Sequence, residues 1–441
     1  MKRSLLVFAF ALVVPQAHGQ SNALPYKSPH QSVGVVSCGS TLCHGSIRPV
    51  PGSNVLQSEY VTWTRLDKHA RAYAILHSAQ SKKIARNLGI KSAHEERLCV
   101  DCHAHAPAQP LRGERFRVDD GVSCEGCHGP AQRWLPVHVE RGATHARNIE
   151  HGLFPAEDAV QRARLCLSCH LGNRDRLVTH RLMGAGHPRL SFELDTFTTV
   201  EPAHFNVDND YAKRKRLWDG VQVWAIGQAM AVSQTLELLG DPKIGRDGFF
   251  PELVFFDCHA CHRSMKSGRW APRADGLGPG VPRLNDSNLL MVRQIAKVAA
   301  PDLAARIGSA TTQLHQSVSQ KSGDPMHAAS ELRELMNALI ARLAQRTFSA
   351  ADLRAIVQGL LDDGRAGAYR DYSGAEQATL AIGSLSNFMF QRGMLKSAAP
   401  ANRALARLQA SVADDENFKP DQFQAALKQV DNVLHAPGAK P

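Results

Sequence analysis

Apolar residues recur at steps of three and four through much of this chain, and long apolar strand patterns are absent. The clearest run is Trp218, Val221, Ala225, Ala229, Val232, Leu236 and Leu239, one face of a single helix. Beyond residue 286 the same periodicity continues in Ala/Leu/Gln/Arg-rich sequence, and roughly six helices are expected between Asn288 and His435. Their starts are marked by capping residues: Asp302 before Leu303, Asp324 before Pro325, Ser349 with Asp352, and Ser373 before Gly374-Ala375-Glu376. A Gly/Pro-rich stretch at residues 268–285 separates this part from the N-terminal half, where short helices alternate with turn-rich connections. The pattern predicts a mainly α fold with little regular β structure, ending in an α-helical bundle over residues 286–441.

The first residues read differently. Lys2 and Arg3 precede an apolar run from Leu5 to Val14, and Ala17-His18-Gly19 supplies small residues before Gln20. This is the layout of a cleaved secretory signal peptide over residues 1–19, too short to span a bilayer. The remainder is expected in the periplasm, without a transmembrane anchor. The formal charge of +11 would by itself suggest a nucleic-acid or anionic partner. The cysteines change that picture.

All 10 cysteines fall in five pairs, each closed by a histidine: Cys38/Cys43/His44, Cys99/Cys102/His103, Cys124/Cys127/His128, Cys166/Cys169/His170 and Cys258/Cys261/His262. A zinc knuckle or redox disulfide also uses paired cysteines, but neither needs histidine after the second. Cys-x-x-Cys-His is the attachment site of c-type haem, two thiols bonding the porphyrin and the imidazole binding its iron. Four motifs have the two-residue gap; the first has four residues, Gly39-Ser40-Thr41-Leu42. Five haem c groups are therefore expected in residues 20–267, a multihaem cytochrome c domain. Their propionates bring roughly ten negative charges, which removes the case for nucleic acid. With so little chain per cofactor, the haems should form much of that half's core, and the 218–239 helix should pack against them. The basic run Lys213-Arg214-Lys215-Arg216 is either a docking patch or a solvated helix face.

The stretch Gly121-Val122-Ser123-Cys124-Glu125-Gly126-Cys127-His128-Gly129-Pro130 resembles the third haem site of the cytochrome c-554 family, tetrahaem electron carriers. Cys99 to His103 resembles the second site, Cys166 to His170 the fourth, and Trp63 to Ala70 the segment bearing a distal histidine. The likeness covers about residues 35–175; the long first gap, the fifth motif and the helical half depart from it. The resemblance implies His69 as distal ligand to the haem of His128 and His138 to that of His44. It also implies an open iron at His103, unless His77, His94 or His105 closes it.

Elsewhere the residues leave alternatives. His180 and His187 are candidates for the haems of His170 and His262, with His204 and His145 competing for the same role. The reading that follows is a periplasmic electron-transfer protein serving donor and acceptor proteins, its bundle available for oligomer or partner contacts. The alternative is an oxidoreductase acting on a small nitrogen compound (hydroxylamine, nitrite or nitric oxide) at the His103 haem. Arg112, Arg115, Asp119 and Asp120 would then serve as distal proton donors.

Overall fold

The computed structural model describes residues 23–53, 55–248, 250–262, 283–319, 323–395 and 398–434. The expected signal peptide, residues 268–282 of the Gly/Pro-rich stretch and His435 lie outside them. The fold is mainly α. Among the described residues, β structure is one two-residue hairpin, Arg246–Asp247 against Phe250–Pro251, and isolated bridges.

Seven helices rather than six follow residue 286 among the described residues: Ser287–Ala299, Pro301–Ser319, Pro325–Leu343, Ala350–Arg365, Tyr372–Gln391, Ala398–Ala410 and Pro420–Leu434. Pro301 opens the second of these, because proline fits a first helical position but disfavours helical geometry in the residue before it. Two predicted caps are in place. Asp324 accepts from Met326 N ahead of Pro325, and Ser349 and Asp352 form a reciprocal capping box. Two others shift by a residue or two. Asp302 lies inside its helix and pairs with Arg342, while Asp371, not Ser373, caps the next helix by accepting from Gly374 N at 2.6 Å.

One hydrophobic core runs from Ala159 to Leu434. At its centre stands the Gly220–Leu239 helix, with Val221, Trp224, Ala225, Ile226 and Leu238 fully buried. It packs against Pro325–Leu343 and Ser287–Ala299, and also against Ala159–His170, which carries the fourth motif. The periodic face was therefore only part of its buried surface: a helix flanked by others is covered all round. The helical half is continuous with the motif-bearing half through this helix. Residues 23–158, by contrast, gather small apolar clusters, such as Leu76 with Ala85, Ala93, Val100 and Ala104. None of the helices among the described residues is long and apolar enough to cross a membrane.

Candidate haem-binding site

Four of the five motifs lie on short helices or helix ends: Arg97–His103, Cys124–His128, Ala159–His170 and Cys258–Cys261, the last with His262 just beyond. A helix puts residues three and four apart on one face, so both thiols and the imidazole address the same space. The first motif has no helix and reaches the same closure by a turn. His44 N donates to Cys38 O at 3.1 Å, as His262 N donates to Cys258 O at 2.7 Å. The extra residues loop outward, leaving the Leu42 side chain 86% exposed.

Each motif histidine faces a second imidazole from elsewhere in the chain. His44 and His138 have ring centres 6.2 Å apart, His103 and His187 6.4 Å, His128 and His204 6.2 Å, His170 and His69 6.1 Å, and His262 and His180 6.1 Å. A metal bound about 2 Å from one nitrogen of each ring would hold the centres on the order of 6 Å apart. The ten predicted histidines are thus brought together two by two. His69 stands against His170 rather than His128, and His187 against His103, the position expected to be open.

Hydrogen bonds fix four of these ten rings through Nδ1 and leave their Nε2 for a metal. His44 Nδ1 bonds Glu59 at 3.0 Å, His69 Nδ1 bonds Asp67 at 3.0 Å, His103 Nδ1 bonds Ala72 O at 3.0 Å, and His187 Nδ1 bonds Pro188 O at 2.8 Å. Beside His138 Nδ1, at 3.1 Å, lies Asn148 Nδ2, while Asn148 Oδ1 is buried without a partner. A half-turn of that amide supplies an oxygen to accept from Nδ1–H, which again frees Nε2 as an electron-pair donor. Histidines outside the pairs are used otherwise. Nε2 of His105 bonds Ser32, Nε2 of His145 bonds Glu157, and His77 and His94 stack on each other 4.1 Å apart.

Burial pushes His128 and His170 down to about 4, so both rings are neutral, the state that binds a metal. The hydrogen bond that His69 donates to the Asp67 carboxylate raises its pKa. The motifs also approach through their free thiols: Cys38 lies within hydrogen-bonding reach of Cys124, and Cys102 of Cys169. A hydrogen bond from Cys102, with the Arg176 guanidinium also nearby, lowers Cys169 to about 6. Nε of Arg162 and Nε of Arg176 are buried without acceptors close to Cys166 and Cys169. The residues present therefore fit haem c at all five motifs.

Two of the four groups suggested for a distal pocket have other partners. Arg112 Nε donates to Pro107 O, and Asp119 pairs with exposed Arg117. In the basic run, Arg214 pairs with Asp210, and Arg216 covers the Trp218 ring and donates to Ala344 O. Glu125, inside the third motif, is a buried carboxylate that sequence reasoning passed over. It accepts from the backbone N–H of Val33, Gly34 and Ala131, tying the first motif's approach to the third.

Residues 37–129, which span the first three motifs, match the family Cytochrome c554 and c-prime. No curated protein and no solved structure matches the chain.

Proposed function

We propose that this haem c redox protein, cytochrome c554-like over residues 37–129, carries five haems and passes electrons between partner proteins in the periplasm. The observation that carries the reading is the set of five facing imidazole pairs at 6.1–6.4 Å, one for each Cys-Cys-His motif. Each pair would hold haem iron by two imidazoles, and the haem would supply electron exchange without a position for substrate, the property of a carrier.

The protein's own part is to set where each electron prefers to rest. Carboxylates on Nδ1 of His44 and His69 make those imidazoles stronger donors and would favour the ferric state of a haem bound there. Backbone carbonyls on His103 and His187 do so less. Thiol contacts between the first and third motifs, and between the second and fourth, support close spacing of neighbouring cofactors.

The test is the haem content of the mature protein exported to a periplasm competent for haem attachment. Intact mass and the pyridine haemochrome spectrum should agree on five haems per chain, and peptide mapping should place one at each motif. Fewer than five, or a chain retained in the cytoplasm, would refute the proposal.

A further inference from the structure

Thr179 to Pro188 is a short helix, His180–Gly184, followed by a tight turn. His187 N donates to Leu182 O at 3.2 Å and Gly186 N to Met183 O at 2.8 Å, with Gly186 at φ +114°. This paired closure ends a helix sharply and needs glycine at the positive-φ position. It launches His187 away from the helix that carries His180.

Both ends of the segment are clamped from different parts of the chain. At the start, His180 N donates to the buried Glu252 carboxylate at 2.7 Å, and Glu252 lies just ahead of the fifth motif. At the end, the Ala79–Leu88 helix, which precedes the second motif, grips the turn with two side-chain amides. Gln80 Nε2 donates to Gly186 O at 2.9 Å and Asn87 Nδ2 to Ala185 O at 2.9 Å. Ile84, Val178, Leu182 and Ala185 form a small apolar cluster beneath them. So His180 is held to the fifth motif and His187 to the second.

We infer that residues 180–187 bridge two haems, His180 binding the iron carried by His262 and His187 closing the iron carried by His103. This rests on the five-haem reading above. It departs from the open second iron that the cytochrome c-554 resemblance implies, and it seats the added fifth haem beside the second. The oxidoreductase alternative then loses the vacant coordination position it requires.

Carbon monoxide on the dithionite-reduced holoprotein is the probe, because it binds ferrous haem wherever an axial position is open. The wild type should show no carbonyl band. His187→Ala should gain carbonyl binding and a high-spin signal at one haem in five, and His180→Ala likewise at one in five. The double variant should gain two. Added imidazole should restore the low-spin spectrum of His187→Ala and abolish its carbonyl band. A wild type that binds carbon monoxide at one haem overturns the closure, whether or not the variants assemble. So does a His187→Ala protein with a full haem complement and no carbonyl band. Haem content, read separately, distinguishes this failure from that of the five-haem reading.

Discussion

His69 meets His170 edge-on, their ring planes at 89°, while its far nitrogen is held by Asp67 at 3.0 Å. One ring is thereby tied to two residues of different kinds, a partner imidazole 101 positions away and a carboxylate two positions back. Loss of the carboxylate's charge should weaken the ring as an electron donor. Asp67→Asn is expected to raise the reduction potential of one haem by tens of millivolts and leave the haem count unchanged. A potentiometric titration followed by optical spectra checks it, and a curve that overlays the wild type would argue against the role.

The five pairs fall into two groups by ring orientation. His44/His138 and His180/His262 lie at 20° and 35°, the other three at 79° to 89°. Near-parallel imidazoles split the iron's two π-type d orbitals; perpendicular ones leave them close in energy. The oxidised protein is therefore expected to show two rhombic low-spin haems and three highly anisotropic ones by electron paramagnetic resonance at liquid-helium temperature. Five signals of one type would contradict the pairing.

The first motif depends on a glycine beside its loop. A Cβ at Gly45 would lie 2.0 Å from Gly39 O, and Gly45 N donates to Ser40 O at 2.8 Å. Gly45→Val should spoil the turn that replaces a helix there and reduce haem attachment from five per chain toward four. Peptide mapping should assign the loss to Cys38 and Cys43, and an unaltered complement would mean the loop tolerates the clash.

Away from the motifs, burial and the neighbouring Glu193 push Asp195 up from 3.8 to about 7. The folded state then holds a proton that the unfolded state has released, so this group's contribution is complete below about pH 4 and lost as pH rises toward 7. Each unit of difference corresponds to about 1.4 kcal/mol. Asp195→Asn is expected to raise the urea midpoint at pH 8 and to change it little at pH 4. An equal shift at both values would assign the effect to packing instead.

The five motifs were legible because their chemistry fixes a local spacing, and the Ser349/Asp352 box for the same reason. What the sequence concealed was long-range. His103 and His187 are 84 positions apart, and nothing in either neighbourhood names the other. His105 and His145 looked as suitable as any ligand until their Nε2 atoms were seen bonded to Ser32 and Glu157. The periodicity of the 218–239 helix identified one buried face, but a second set of neighbours buries the other. At Asp371 and Ser373 two capping residues compete within one turn, and the accepted hydrogen bond from Gly374 N decides between them.

The helix bearing the fourth motif, Ala159–His170, shares its core with helices that are synthesised last. This would tie haem loading at the fourth motif to the order in which the chain is made. The first three motifs can present their thiols while the C-terminal half is still being delivered. The fourth, packed against the Gly220–Leu239 helix, would gain its full support only once that helix and its partners are in place. A chain stopped after residue 262 should thus load its early sites and be deficient at Cys166 and Cys169, so the C-terminal half would act as an assembly jig for chemistry it does not itself contain.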